Sequence, residues 1–400
     1  MRLVQQHIIK STDSRYKDLL DLCHLSKNLY NATLYDMRQH FFSTEKYKPY
    51  CLVDKTFKES SNPDYRALPA QTSQQVMRVV DSEFKSFFSL LKKKQSGKYD
   101  KPVQIPHYLK KDGYHVVTYT SQALSHKNLI DGIIKIPKTN ICFKTPITDI
   151  QQVRFVPRAG YIVMEVVYNK KEEDLKVDNG RYASIDLGIN NLAAVSSNVV
   201  APYLINGRPV KSLNQYYNKK KAHIQSQLGD SKKTSHRLQT LSLKRNNKIN
   251  DYFHKSSSFI VNQLVSDSIN TLIIGYNKGW KQDINKGKQT NQNFCYIPHL
   301  KFVSMLQYKC RLKGINVIMT EESYTSQSSF MDRDPLPSYG DSNIPIFSGK
   351  RPKRGLYVTG NQFKINADVN GSLNIMRKAV GDVTLPPDRG FVSNPVRISF

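Results

Sequence analysis

The sequence predicts a chain of several domains, with a helical segment and a small β domain ahead of a larger basic α/β unit whose helices pack on a mixed sheet. Apolar residues recur at helical spacing through the first ~100 residues and shift to strand-like runs between about 101 and 176. Beyond 177, strands, helices and further strands follow one another, the order expected of helices packed on a sheet. A length of 400 residues fits roughly two or three domains.

The helical segment has Tyr16, Leu19, Leu20, Cys23, Leu29, Tyr30 and Leu34 on one stripe. A second helix follows Pro69, with Val76, Val79, Val80, Phe84, Phe87, Phe88 and Leu91 on a broad face that reads as core. It runs out in Lys92-Lys93-Lys94, cations that suit a helix C-terminus and are either solvated or set against phosphate. The β domain shows Tyr114–Thr120 and Gln152–Val156, and Arg158-Ala159-Gly160 turns the chain into Tyr161–Tyr168 as a hairpin. A charged spacer, Lys170–Asp178, leads to the strand Tyr182–Leu187 and its hairpin partner Asn191–Ser197. Two polar helices over 211–255 carry eleven Lys/Arg, Lys232 and Lys233 among them, against Asp230 and Asp251. A helix continues through Phe259–Val265; then come the strand Thr271–Gly275, a helix near Leu300–Leu312, the strand Ile315–Thr320, a Gly/Pro-rich loop at about 332–362 and a last helix near Val369.

Sixty Lys and Arg against thirty-two Asp and Glu leave a formal charge of +28, which calls for a polyanionic partner. Nucleic acid is the expected one, because counterion release favours many Lys/Arg–phosphate contacts. With 10% aromatic and 39% hydrophobic residues the composition excludes wholesale disorder. No apolar run approaches the ~20 residues of a membrane span. Met1–His7 lacks the apolar stretch of a signal peptide, and the five scattered cysteines suit reduced thiols serving as buried filler, so an intracellular protein is expected.

Three acidic points stand where strands or loops end. Asp186, in Ile185-Asp-Leu-Gly-Ile-Asn-Asn191, leaves an apolar strand, where an Asp is costly to bury unless paired or cation-bound; the alternative is a plain turn Asp. Gly188 permits close approach of a backbone or ligand, and Asn191 can hydrogen-bond the turn. Glu321 and Glu322 end a strand and point to opposite faces, so one of them is expected to face Asp186. Asp368 precedes the last helix and is either a cap or a ligand. Dispersed carboxylates in a basic chain fit phosphodiester hydrolysis with two hard cations about 4 Å apart, and magnesium needs few protein oxygens.

Ser184-Ile-Asp-Leu-Gly-Ile-Asn-Asn-Leu, Glu322-Ser-Tyr-Thr-Ser-Gln and Asn366-Ala-Asp-Val-Asn-Gly-Ser-Leu-Asn-Ile, in this order, resemble the TnpB (OrfB) proteins of bacterial insertion sequences, RNA-guided DNA endonucleases related to type V CRISPR effectors. The resemblance extends to the helical N-terminal part and to Asp251-Tyr-Phe-His-Lys. It implies an RNase H-like RuvC nuclease domain over 177–384, with a helical insertion at about 211–268 and a loop at about 323–365. It also implies an oligonucleotide-binding (wedge) β domain formed by 1–14 and 101–176, a helical recognition lobe at 15–100 and a C-terminal tail at 385–400. By the same resemblance Asp186 and Asp368 are catalytic metal ligands for Mg²⁺, two ions with Mn²⁺ as a substitute. The resemblance likewise implies a guide RNA from the element's end and double-stranded target DNA as partners, in a bacterial cytoplasm near the nucleoid, with no membrane.

Two departures mark the chain. The family usually carries its middle Glu at the end of the strand that here reads Leu272-Ile-Ile-Gly275-Tyr-Asn, so either the site is dead, leaving a guide-dependent DNA binder or repressor, or the acid comes from elsewhere. Some members have a rearranged site with the Glu just before Tyr-Thr-Ser, which assigns Glu322, with Glu321 in reserve. The family's four-cysteine zinc element is also missing, since residues 321–368 contain neither Cys nor His; no zinc is expected, and packing of Leu336, Tyr339, Phe347 and Tyr357 is expected to hold the loop. Its basics Lys350, Arg351, Lys353 and Arg354 are either nucleic-acid contacts or solvated, and Lys219, Lys220, Lys221, Lys244, Arg245 and the N-terminal lysines are candidate backbone contacts. Trp280, between Lys278 and Lys281, is either core or a base-stacking platform.

Overall fold

The structure, a computed structural model, describes residues 1–229, 234–277, 297–385 and 392–400. Trp280 with its flanking Lys278 and Lys281, and also Asp230, Lys232, Lys233 and Cys295, lie outside the described residues. The chain forms two compact units, Met1–Lys170 and Lys171–Phe400.

In the first unit β1 (Arg2–Lys10) is followed by the helices α1 (Tyr16–Thr44), α2 (Tyr50–Glu59), α3 (Pro63–Ala67) and α4 (Ala70–Gln95). Then come β2 (Val117–Thr120), α5 (His126–Ile130), β3 (Ile133–Lys135), β4 (Cys142–Lys144), β5 (Ile150–Arg158) and β6 (Tyr161–Asn169). The strands β1, β6, β5 and β2 form an antiparallel sheet in that order, so the first strand of the chain pairs with the last strand of the unit. The β5–β6 hairpin turns at Ala159-Gly160, with Gly160 at φ 84°, the left-handed conformation glycine adopts freely. The helix α1 serves two cores: Leu19 and Cys23 pack with the sheet residues Val153, Phe155 and Met164, while Leu29, Leu34 and Met37 pack with Val53, Val76, Met77 and Phe84 of α2 and α4. Cys51 and Cys142 are exposed, which corrects their reading as buried filler; Cys142 lies on a two-stranded sheet that leaves one face open, and only Cys23 and Cys310 fit the expectation among the described cysteines.

The second unit contains β7 (Tyr182–Leu187), β8 (Asn191–Ser197), β9 (Tyr203–Asn206), α6 (Arg208–Ser226), α7 (His236–Ser266) and β10 (Thr271–Gly275). It continues with α8 (His299–Leu312), β11 (Asn316–Thr320), the short strands β12 (Lys350–Lys353), β13 (Leu356–Val358) and β14 (Lys364–Asn366), α9 (Ala367–Val380) and β15 (Val396–Ile398). A six-stranded mixed sheet runs β11-β10-β7-β8-β9-β15. Strands β7, β8 and β9 are antiparallel neighbours, β10 and β11 run parallel to β7, and β15 runs parallel to β9. Residues 385–400, expected as a tail, thus include an edge strand: Val396, Arg397 and Ile398 align with Tyr203, Leu204 and Ile205, and pairing satisfies backbone groups the edge would otherwise expose.

Each face of this sheet is covered. Ala183, Ile185, Leu272 and Ile274 face a core with Phe253 and Ile260 of α7 and Phe302 and Leu306 of α8. The alternate residues face α9: Ile273 packs with Ile375 and Met376, and Ala194 with Val369 and Leu373. Full burial of a Leu, Ile or Phe side chain is worth roughly 1.5–3 kcal/mol, so both layers hold the sheet firmly. Among the described residues no helix is long and apolar enough to cross a membrane.

Candidate active site

The alternation of β7 decides where its acid goes. Ala183, Ile185 and Leu187 are in the α7/α8 core, so Ser184 and Asp186 point at α9. Ser184 Oγ donates to the Ser372 carbonyl at 2.6 Å and Ser372 Oγ donates back to the Ser184 carbonyl at 2.9 Å, clamping helix to strand. One residue earlier on α9 is Gly371, where an added Cβ would stand 2.8 Å from Asp186 Oδ2. A glycine in a helix interior costs about 1 kcal/mol relative to alanine; here it lets the helix close over the carboxylate.

Glu322 follows the end of β11, beside the end of β10. Its N–H donates to Asn277 Oδ1 at 3.0 Å, and its carbonyl accepts from Thr325 Oγ1 at 2.8 Å. Its Oε2 is buried and has no hydrogen-bond partner among the described residues. That oxygen lies 3.0 Å from where a Cβ on Gly275 would be, with Ile375 Cδ1 at 2.4 Å from the same point. Burial, and then the neighbouring Glu321, push the Glu322 carboxyl up to about 7. Glu321 points elsewhere: it pairs with Lys378 near the end of α9, and Lys378 also donates to the Pro337 carbonyl at 2.9 Å. Burial works against the charged form of Glu321, but the bonds from Lys378 and Ser323 outweigh it and hold its carboxyl below the usual range.

Asp368 is not the cap of α9. Asn366 caps it, its Oδ1 accepting from the N–H groups of Asp368 at 3.0 Å and Val369 at 3.3 Å. Asp368, in the first turn, accepts from Asn191 Nδ2 at 2.6 Å and lies 3.5 Å from the Arg351 guanidinium. Asn191 therefore reaches an acid far along the chain instead of serving its own turn. The turn needs Gly188 for a different reason, because a Cβ there would stand 2.6 Å from the Asn191 carbonyl. Asp186 is held well above the ordinary carboxylate range, first by burial and then by Glu322 and Asp368, with Arg351 pulling the other way. The three acids are thus electrostatic neighbours. As placed they do not meet at a point: among the described residues no three His, Cys, Asp or Glu side chains are gathered tightly enough to hold one ion.

The motif around Asp368 also holds the loop after Glu322. Asn370 donates to the Ser328 carbonyl at 2.8 Å and accepts from Phe330 N at 3.1 Å, while Asn374, one turn on, donates to the carbonyls of Thr325 and Ser328. Farther out, two aspartates organise the loop that lacks Cys and His. Asp332 accepts from Ser329 Oγ at 2.6 Å, Gly360 N at 2.7 Å, Ser348 Oγ at 3.0 Å and Asn361 Nδ2 at 3.0 Å. Asp334 Oδ2 accepts from the N–H groups of Ser329 at 2.8 Å and Ser348 at 3.0 Å. This corrects the expected apolar support: Tyr339 is 86% exposed, Leu336 and Phe347 are half-buried, and only Tyr357 is buried. Too few apolar residues converge there, and carboxylate hydrogen bonds tie the loop instead.

The candidate basic contacts separate by their surroundings. Lys219, Lys220 and Lys244 are exposed and Lys221 is half-buried. Arg245 is engaged within the unit, donating to Asn214 Oδ1 at 2.7 Å and stacking over Tyr217. Lys350, Lys353 and Arg354 are exposed on the β12–β13 hairpin, whereas Arg351, read as a loop contact, reaches the acidic site. Sequence reasoning missed Gly371, Asn370, Asn374 and Lys378; a glycine inside a helix flanked by asparagines four residues apart was the available signal.

Fold and site together define a strongly basic mixed α/β chain with a buried acidic centre where the ends of two sheet strands meet a helix N-terminus. A model of the OrfB_IS605 family, described as a probable transposase, matches residues 165–281, and one of the Cas12f1-like TNB domain matches 299–375. A TnpB-like protein, ORF457 of Acidianus two-tailed virus, is 22% identical over 421 residues, covering 92% of this chain and 84% of that protein. Among solved structures, a Cas12f1 in complex with sgRNA and target DNA is 12% identical with a TM-score of 0.37, covering 94% of this chain and all of that one. A CRISPR-Cas12f from a ternary complex is 13% identical with a TM-score of 0.37, covering 90% and 82%. These matches make the chain similar to TnpB and OrfB proteins, with the two family models falling on separate segments of the second unit and just ahead of it.

Proposed function

We propose that this protein is an RNA-guided DNA endonuclease whose RuvC-like centre comprises Asp186, Glu322 and Asp368. The observation that carries the reading is that Glu322 and Asp368 both act on the buried Asp186 carboxylate, while the buried Glu322 Oε2 meets no hydrogen-bond donor among the described residues. Such a cluster opposes its own ionisation unless a cation joins it. The sheet order, with three antiparallel strands flanked by two parallel ones and the acid on the central β7, supports the RNase H-like assignment.

The donor set fits a hard divalent cation such as Mg²⁺, which takes oxygen ligands and is satisfied by one or two carboxylates with waters and substrate phosphates. Bound there, the metal would supply Lewis acidity at the scissile phosphate and lower the pKa of an attacking water. Asp186, Glu322 and Asp368 would hold it. Asn191 fixes the Asp368 carboxylate, Asn277 and Thr325 fix the backbone of Glu322, and Ser184 with Ser372 fixes β7 against α9. Arg351, on an exposed hairpin beside Asp368, suits the negative charge of a phosphodiester in reaction. Guide RNA and target DNA are the partners this reading requires. Pairing between them supplies the sequence, and the protein supplies backbone contacts, for which Lys219, Lys220 and Lys244 stand exposed on the surface.

The test is incubation of the full chain with guide RNA and matched double-stranded DNA in Mg²⁺. Wild type cuts; Asp186→Ala, Glu322→Ala and Asp368→Ala bind the same RNA and DNA without cutting. Guide-dependent DNA binding by wild type without any cut overturns the nuclease reading and leaves a guided DNA-binding protein.

A further inference from the structure

Glycine is a poor residue for the interior of a sheet, since it lacks a side chain to pack and loses the most backbone freedom on folding. Gly275 nevertheless ends β10, buried, beside the central β7. Its neighbours explain it. Ile273, two residues earlier on the same face, packs with Ile375 of α9, and the space where a Cβ of residue 275 would project is filled by Ile375 Cδ1 at 2.4 Å and Glu322 Oε2 at 3.0 Å. Gly275 shows no positive φ, so its backbone is one other residues adopt, and the reason for glycine is room.

Resting on the reading of Glu322 as a metal ligand, we infer that Gly275 is a positioning residue whose missing side chain is the seat of the Glu322 carboxylate. Ordinary van der Waals contact with a Cβ begins at 3.4 Å, so an alanine at 275 must displace Oε2 by about 0.4 Å as well as move Ile375. Ile375 is fully buried and its side chain cannot swing into solvent. A ligand set must hold its productive geometry to within about 0.5 Å, so a displacement of this size uses up nearly all of that tolerance. The same contact means that the seat holds one acid: a carboxylate borne by residue 275 would need the volume that Glu322 occupies.

The experiment titrates the RNA-free full chain with Mn²⁺, reading free Mn²⁺ by electron paramagnetic resonance, with thermal melting as a check on folding. Gly275→Ala is expected to weaken Mn²⁺ binding about tenfold, as displacement of a supporting group does. Ile375→Ala removes Cδ1 and also Cγ1, which stands 3.0 Å from the same point, so Gly275→Ala/Ile375→Ala relieves the packing clash and keeps the carboxylate clash. The double variant is expected to melt no lower than Ile375→Ala alone and still bind weakly, while Ile375→Ala alone binds as wild type does. Wild-type affinity in the double variant would show that Gly275 serves Ile375 alone, and the inference would fail. Should Gly275→Ala be too unstable to assay, the affinity of the double variant decides between the two roles. Glu322→Gln separates this from the parent reading: if it binds Mn²⁺ as tightly as wild type, Glu322 is no ligand and the proposed centre itself is wrong.

Discussion

Two sets of carboxylates lie in the second unit and are treated in opposite ways. Burial alone would push the Asp332 carboxyl up, but bonds from Ser329, Gly360, Ser348 and Asn361 outweigh it and hold the group below its ordinary value. At the sheet end, Asp186 and Glu322 are pushed up, first by burial and then by neighbouring acids, and Glu322 Oε2 has no donor among the described residues. Desolvating a carboxylate without compensation is expensive. The first set is satisfied within the chain; the second is the centre proposed above to take a cation. Acid content alone does not separate them, whereas the count of hydrogen-bond donors does.

The sharpest way to break this comparison is to exchange the roles of adjacent acids. Glu322→Ala is expected to lower guide-dependent DNA cleavage at least about a thousandfold, a loss of roughly 4 kcal/mol of transition-state stabilisation. Glu321→Ala, which removes the partner of Lys378 and of the Ser323 N–H, should leave the rate within a few-fold, and the reverse result in a plasmid-cleavage time course would overturn the division between them. Next in size is Asp332→Asn, which keeps the shape but, with its amide nitrogen toward Asn361, sets one donor against another. The remaining donors lose a charged acceptor, so the midpoint of urea unfolding should fall while Mn²⁺ affinity holds.

A pH series sharpens the contrast. A carboxyl raised from 4.5 to about 7 binds its proton more tightly in the folded state, so stability falls as pH rises from 4.5 to about 7 and is flat above. Glu322→Gln removes that slope and is expected to raise the melting temperature of the metal-free chain at pH 8 while changing little at pH 4. Asp332 is lowered and contributes the opposite way: its stabilisation is present above 3.8 and lost as pH falls through its folded value. The Asp332→Asn substitution should abolish that acid-side loss. The smallest effect is expected from Asn191→Ala, which frees Asp368 from one bond of 2.6 Å but leaves Arg351 beside it; a several-fold fall in cleavage with unchanged DNA binding would mark a positioning group.

How much of this could be read from the sequence follows the range of the interactions. The strands around Asp186, Gly275 and Thr320 were legible because their apolar runs are local, and the acids stood out because they end those runs. The side of Glu322 on which its partners lie was half legible, since alternation sent Glu321 and Glu322 apart without saying which met Asp186. The cap of α9 went unassigned because Asn366 and Asp368 are both competent and only geometry chooses. The support of the loop was missed because Asp332 draws its donors from 329, 348, 360 and 361, a convergence no periodicity encodes. Strand β15 was missed for a similar reason: three residues carry no period, and only the open edge of β9 makes them a strand.

Asp334 joins Ser329 to Ser348 through a single carboxylate oxygen, so the polypeptide between 335 and 347 leaves and re-enters at one fixed knot. Its crest is bathed in water, with Ile346 98% exposed. Beyond Pro337, whose carbonyl Lys378 holds, residues 338–344 are all exposed, which makes that stretch a natural place to splice in a foreign peptide, a fluorophore tag or a second protein.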